Sequence, residues 1–141
     1  MTVMKLALAA VPAVWLLAVT AVPEAAQSKS VNDGVFTDAQ VARGEAAYKK
    51  DCNSCHGQGL EGDGFAPALS GAEFMGNWNG TTVGDLYDRI RISMPPGNPA
   101  SVPAQAKADI VAFMLKANKY PTGSSELTPE TLKDIKIDLP K

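Results

Sequence analysis

The hexapeptide CNSCHG at residues 52–57 contains both cysteines and the only histidine of this 141-residue chain. Thiol and imidazole groups are the soft metal ligands and the strong nucleophiles among protein side chains. All chemistry of that kind is therefore confined to one short segment. Whatever this segment binds, the rest of the chain has to supply the ligands that it lacks.

Four interpretations of the motif C-x-x-C-H compete. A thioredoxin-like dithiol is expected in a βαβ unit, and the sequence lacks the strands. A structural zinc site needs four ligands, whereas the chain offers three. A disulfide between Cys52 and Cys55 would suit an exported protein but leaves His56 unused. Covalent haem attachment uses both thiols and the histidine, and it is the interpretation that we favour.

The N-terminal residues have the order of a secretory signal. In residues 1–26, Lys5 is followed by an apolar stretch over 6–22 and then by small residues. We expect cleavage between Ala21 and Ala26, so that the remainder works in the periplasm. An uncleaved membrane anchor is the alternative, although the stretch is short for a span and contains a proline.

Length and charge limit the class of protein. The formal net charge is −2, from 13 basic and 15 acidic residues, and without a basic run we expect no nucleic-acid partner. The chain is long enough for one domain. The expected organisation is a signal over 1–26, a flexible lead-in over 27–36, the main domain over 37–120 and a C-terminal extension over 121–141.

Three segments carry the period of an α-helix: 38–51, 82–92 and 103–118. Thr37 and Gln40 have the spacing of a capping box before the first of them. Residues 57–80 contain seven glycines and no period, which predicts a loop that wraps around something. In the extension, residues 128–130 could start a helical turn, and IKIDL at 135–139 alternates like a short edge strand.

A six-coordinate haem requires a second axial ligand besides His56, and methionine is the soft choice. Met94 precedes two prolines, which hold the backbone in the way that a weak thioether ligand needs. Met75, in the glycine-rich segment, is the alternative. Met114 lies on the apolar stripe of the last helix, where we expect it to pack in the core. The expected iron ligands are therefore His56 and Met94.

Four motifs occur in the order found in a class I c-type cytochrome: CNSCHG, PAL at 67–69, MPP at 94–96 and ADIVAF at 108–113. The chain resembles that family over about residues 37–119. The resemblance implies an all-α fold, with three main helices wrapped around one haem c that is attached through Cys52 and Cys55. It also implies that the first and last helices cross at Gly44 and Tyr48.

The resemblance further assigns residues to the haem pocket. It implies that the carbonyl of Pro67 accepts a hydrogen bond from His56, which fixes the histidine tautomer, and that Leu69 packs on the haem. Trp78 corresponds loosely to a tryptophan that binds a haem propionate in some relatives; an ordinary buried tryptophan is the alternative. The remaining implied lining residues are Leu86, Tyr87, Ile90 and Ile92.

The expected function is that of the family: a periplasmic single-haem carrier of electrons, not an enzyme. It would dock transiently with redox proteins, namely a donor dehydrogenase or respiratory complex and an acceptor oxidase or cytochrome. A membrane partner is expected only if the signal stays uncleaved. One alternative is a cytochrome subunit of a quinoprotein (PQQ) dehydrogenase or similar respiratory complex, with residues 121–141 as a docking arm. The other is a haem-based gas sensor with a labile Met94.

Overall fold

The computed structural model of the protein describes residues 29–141, so the expected signal at 1–26 lies outside the described residues. The α-helices are α1 (Asp38–Asp51), α2 (Asn53–His56), α3 (Gly71–Trp78), α4 (Val83–Ser93) and α5 (Ala104–Ala117). Single 3-10 turns occur at Val31–Asp33 and Pro99–Ser101. The predicted all-α class is confirmed. Within the described range no helix is long and apolar enough to cross a membrane.

Helix α1 begins where the sequence predicts, because the Thr37 hydroxyl accepts a hydrogen bond from the Gln40 backbone N–H at 3.1 Å. The second half of the predicted capping box is wrong. The Gln40 side chain is fully buried and donates to the carboxylate of Asp109 at 2.9 Å and to the carbonyl of Leu127 at 2.7 Å. Its own oxygen accepts from the Leu127 N–H at 2.9 Å, so tertiary partners satisfy both ends of the amide.

Helices α1 and α5 cross in direct contact at Gly44. A Cβ atom at this position would overlap the carbonyl oxygen of Asp109, so only glycine permits the approach. One turn later the ring of Tyr48 packs on Phe113, with ring centroids 5.3 Å apart. The Tyr48 hydroxyl donates to the carbonyl of Gly57 at 2.6 Å. The crossing therefore has the residues that the resemblance implied, and it also holds the chain just after the cysteine motif.

A charged network surrounds the buried carboxylate of Asp109. Arg43 donates to it at 3.0 Å and also binds Glu126, and the amides of Gln40 and Gln105 donate at 2.9 and 3.0 Å. Burial opposes ionisation of Asp109, but these hydrogen bonds outweigh it and hold the carboxyl pKa below its ordinary value. The network ties α1 and α5 to the C-terminal segment.

Helix α3 lies in the segment predicted to be a loop. The helix contains two glycines, so its short apolar pattern does not stand out in the sequence. Its Phe74 side chain is fully buried. Ser70, at the N-cap position, makes no side-chain capping bond. Instead, the Gly71 N–H donates to the side chain of Asn118 at 2.9 Å. Ser70 and Glu73 have the spacing of a capping box, a signal that the prediction of a loop overlooked, but the observed cap comes from the end of α5.

The other two predicted helices are present with nearly the predicted bounds. Helix α4 starts with a complete capping box, in which the Thr82 hydroxyl accepts from the Asp85 N–H and the Asp85 carboxylate accepts from the Thr82 N–H. Helix α5 starts directly after Pro103, whose ring suits the first turn of a helix. Both helix starts could be predicted because the capping box of α4 and the proline before α5 each lie within four residues of the helix start.

The N-terminal segment, expected as a flexible lead-in over 27–36, forms a 3-10 turn after Ser30 and packs on the domain. Ser30 caps the first 3-10 turn, and the side chains of Val31 and Phe36 are fully buried. Because most residues of this segment are polar, the sequence did not indicate that Val31 and Phe36 pack in the core.

The C-terminal segment 121–141 packs on the helical domain next to the N-terminal segment. Its apolar side chains are buried: Leu127, Leu132, Ile135 and Ile137. The Val83 N–H donates to the Ile135 carbonyl at 2.8 Å, and the Lys136 N–H donates to the Lys29 carbonyl at 2.7 Å. The predicted edge strand is reduced to isolated bridges at Lys136. The segment therefore lies between the N-terminal residues and the start of α4.

Replacing Gly44 with alanine should destabilise the protein by about 3 kcal/mol, the upper part of the range for overpacked cores, because the obstacle is backbone. Urea unfolding followed by circular dichroism would measure this loss. Gly76→Ala is the matched control: it lies in α3 with nothing within 4 Å of an added Cβ, and alanine should stabilise it by up to about 1 kcal/mol. Equal stabilities for wild type and Gly44→Ala would contradict the proposed crossing.

Asp109→Asn should lower stability at pH 7 by about 1–2 kcal/mol, because the charged hydrogen bond from Arg43 is lost. The folded pKa of Asp109 lies below the unfolded value of about 3.9. Its contribution is therefore complete above that value and is lost as the pH falls through the folded pKa. When the free energy of unfolding is measured with urea between pH 7 and pH 2, it should fall less steeply at acid pH in Asp109→Asn than in wild type. Asp134→Asn, at an exposed position, should show the same decrease as wild type.

Candidate functional site

A cavity of about 700 Å³ opens beside the cysteine motif. Nine of the eleven residues that sequence analysis assigned to the site line it: Cys52, Cys55, His56, Pro67, Leu69, Trp78, Leu86, Ile90 and Met94. Residues more than forty positions apart are thus brought to one space. The volume is in the range of small-molecule and cofactor sites.

Tyr87 and Ile92 are the predicted lining residues that the fold takes elsewhere. Leu86 and Ile90, four positions apart on α4, both line the cavity. Tyr87 is turned by about 100° from Leu86; it lines a separate groove against the C-terminal segment, and its hydroxyl lies 3.4 Å from the Ala104 carbonyl. Ile92 is 62% exposed. Assigning consecutive apolar residues to one helix face was the error.

The cysteine motif forms a single helical turn. The His56 N–H donates to the Cys52 carbonyl at 3.1 Å, and Cys55 follows Cys52 by three positions, so both thiols lie on the same side of the turn. No disulfide joins them. Burial, with the nearby charges of Asp51 and Cys55, raises the pKa of the Cys52 thiol to about 11. The wall around Cys52 is apolar enough to disfavour a charge.

The ring of His56 is buried and oriented by one contact. Its Nδ1 atom lies 2.9 Å from the carbonyl oxygen of Pro67. A carbonyl only accepts hydrogen bonds, so Nδ1 carries the proton and Nε2 keeps a lone pair that can ligate a metal. The Gly62 N–H donates to the His56 carbonyl at 2.8 Å, which folds the following loop back towards Pro67. The contact expected from the resemblance is present.

The three methionines of the domain differ in position. Met94 ends α4, with its N–H donating to the Ile90 carbonyl at 2.9 Å, and its side chain lines the cavity. Met75 lies on α3; its sulfur accepts from the Tyr120 hydroxyl at 3.5 Å, and it is not among the cavity-lining residues. Met114 reaches the cavity from α5 but is 1% exposed and packed in the core. Met94 is the methionine at the end of a helix and on the cavity wall.

The cavity-lining residues that sequence reasoning did not assign to the site include Phe65, Asn77 and Arg89. Arg89 is exposed, but it also follows Leu86 by three positions, and this spacing was a usable signal. Phe65 is fully exposed in the loop before Pro67, and no periodic pattern could have assigned it. Together they add an aromatic ring, an amide and a guanidinium to the wall.

The residues fit a covalently attached haem. Two thiols stand one turn apart beside an imidazole whose Nε2 is available, and a thioether lines the same cavity. Apolar side chains supply much of the remaining surface: Leu69, Leu86, Ile90 and Ile110. This combination of soft ligands and an apolar wall suits a large flat macrocycle with a central iron.

An all-α fold with C-x-x-C-H on the wall of an apolar cavity defines a c-type cytochrome domain. Residues 39–114 match the model of the family described as cytochrome c oxidase, cbb3-type, subunit III. The match covers just over half of the chain, and the chain belongs to this family. Membership implies one haem c, covalently bound through Cys52 and Cys55, and a role in electron transport. No curated protein matches the chain.

Replacing both Cys52 and Cys55 with serine should abolish covalent haem attachment, because no thiol remains to form a thioether. Haem staining after denaturing electrophoresis would measure this: wild type should stain at 14.8 kDa or below, and the double variant should not. Ser54→Ala, between the two cysteines, is the control and should stain like wild type. Staining of the double variant would show another point of attachment.

Proposed function

We propose that the protein is a periplasmic single-haem electron carrier whose iron is ligated by His56 and Met94. One observation carries the proposal: both side chains line the same cavity as the two cysteines, and Pro67 already occupies the Nδ1 side of His56. When bound, the haem supplies reversible one-electron chemistry.

The two ligands are held by different means. The hydrogen bond to Pro67 orients the imidazole of His56 and makes it a stronger donor. A thioether binds weakly and depends on its backbone for position. Helix α4 holds the N–H of Met94, and the two prolines that follow restrict the chain. Little has to rearrange in these residues when the charge at the site changes by one.

This ligand set supports electron transfer and not substrate chemistry. With side chains in both axial positions, no coordination site is left for oxygen or peroxide. Methionine ligation raises the reduction potential of such a site. The apolar wall of Leu69, Leu86 and Ile90 acts in the same direction, because it disfavours the additional positive charge of the ferric state. We therefore propose a carrier of relatively high potential, not an enzyme.

The proposed partners are redox proteins that dock at the mouth of the cavity. Exposed residues at this mouth include Cys55, Phe65 and Arg89, so the mouth faces solvent. Contacts of electron-transfer proteins are small and weak, and a donor dehydrogenase or respiratory complex and an acceptor oxidase or cytochrome would each bind transiently. The signal-like residues 1–26 support a periplasmic location.

A second candidate is a cytochrome subunit of a respiratory complex, which the match to the family of cbb3-type cytochrome c oxidase subunit III favours. For the related idea of a quinoprotein subunit, the sequence offered residues 121–141 as a docking arm. Their apolar side chains pack on the helices instead, so this segment does not support a free arm. Isolation of the native protein in a stable complex would favour the subunit; isolation as a single chain would favour the carrier.

Met94→Ala should open the iron to an external ligand. The reduced wild-type protein should show no spectral change with carbon monoxide, whereas reduced Met94→Ala should bind it. Met75→Leu and Met114→Leu are the controls, and neither reduced variant should bind carbon monoxide. The substitution at the buried Met114 should cost less than about 1.5 kcal/mol of stability.

Two results would contradict this assignment. Ready binding of carbon monoxide by the reduced wild type would indicate an open distal side and favour the gas sensor. Binding by Met114→Leu together with a closed Met94→Ala would make Met114 the ligand.

A further inference from the structure

Lys107, in the first turn of α5, is a buried lysine with 3% of its surface exposed. Lysine is almost never fully buried unless it is paired. Within residues 29–141 no ion pair includes it. Its ammonium instead donates to two backbone carbonyls, that of Pro99 at 2.6 Å and that of Arg91 at 3.3 Å.

These two carbonyls stand on either side of Met94. Arg91 lies in the last turn of α4, and Pro99 begins the 3-10 turn before α5. The residues between them, 92–98, are called the Met94 strap here. One ammonium group therefore connects both ends of the strap to α5.

The sequence of the strap explains why a side chain is needed at Arg91. In a continuing helix the Arg91 carbonyl would accept from the N–H of the residue four positions later. That residue is Pro95, which has no N–H. Lys107 supplies the missing donor, and its positive charge suits the C-terminal end of α4.

Burial of the Lys107 ammonium costs free energy, and its two hydrogen bonds to backbone carbonyls offset that cost. Burial and the positive charge of Arg91 lower its pKa, against an opposing effect of Cys52. Hydrogen bonds from a charged donor are about twice as strong as neutral ones. A second tie, the contact of the Tyr87 hydroxyl with the Ala104 carbonyl, joins α4 to α5 independently. Loss of the lysine would therefore loosen the strap without separating the helices.

We propose that Lys107 is a positioning residue for the axial methionine. By holding both ends of the Met94 strap, its ammonium keeps the thioether of Met94 at the cavity and the sixth coordination position closed. The proposal rests on the function proposed above, in which Met94 ligates the iron.

The test uses haem-loaded Lys107→Met, which keeps the length of the side chain and removes its donors. Reduced Lys107→Met should bind carbon monoxide at least about tenfold faster than the slowest rate that the assay detects, whereas reduced wild type stays below that rate, because a charge-assisted hydrogen bond at each end of the strap is lost. Lys116→Met, an exposed lysine on the same helix, is the matched control and should behave like wild type.

A double variant separates positioning from a general structural role. In a Met94→Ala background, Lys107→Met should leave the rate of carbon monoxide binding unchanged, because there is no thioether left to position. An additional acceleration there would show that Lys107 acts on the cavity by another route and would overturn the proposal. So would a wild-type rate in Lys107→Met alone.

The outcomes distinguish this proposal from the function on which it rests. If reduced wild type and Met94→Ala bind carbon monoxide equally fast, Met94 is no ligand and both fail. If wild type is closed and Lys107→Met is equally closed, the carrier stands and Lys107 has no such role. Should Lys107→Met not yield haem-loaded protein, Lys107→Gln is measured. Its amide nitrogen stops one bond short of the ammonium position, and a wild-type rate would again overturn the proposal.

Discussion

The close crossing of α1 and α5 at Gly44 is the constraint on which the rest of the structure depends. Helix α1 ends at Asp51, directly before the cysteine motif, so the crossing sets where both thiols and His56 stand. The hydroxyl of Tyr48, one turn after the crossing, then holds Gly57 on the far side of the motif. Backbone contact leaves little freedom, and the position of His56 is therefore set by a glycine twelve residues earlier.

Helix α5 supports the cavity along its whole length. Near the start of α5, Lys107 contacts the two residues that flank the Met94 strap. Ile110 and Met114 line the cavity in the middle, and Asn118 caps α3 at the end. Three short helices alone would bury too little apolar surface at this chain length. The N- and C-terminal segments add buried side chains such as Phe36 and Leu132 on another part of the core. A rigid frame of this kind suits a site that has to change charge without moving.

Much of this protein was determined by local sequence. The bounds of α1, α4 and α5 were predicted almost correctly, because their caps and apolar faces involve residues at most four positions apart. The motif at 52–57 specified the cofactor, since two thiols and an imidazole at this spacing suit covalent haem attachment. Nine of eleven predicted site residues line one cavity. Tyr87 is buried but lines a separate groove, because a hydrophobic run does not state which of its members faces the cavity.

Tertiary structure decided what depends on distant partners. Helix α3 is capped by Asn118, the amide of Gln40 binds Leu127, and the apolar residues of 121–141 find their core only when the chain has folded. The role of Lys107 is of the same kind. Its sequence neighbours do not indicate a partner for its charge, because the two carbonyls that it binds belong to the end of α4 and to the 3-10 turn. Sequence alone determined the chemistry and helices α1, α4 and α5, because their signals are local. Only the fold decided which polar groups are satisfied, because their partners lie many residues away.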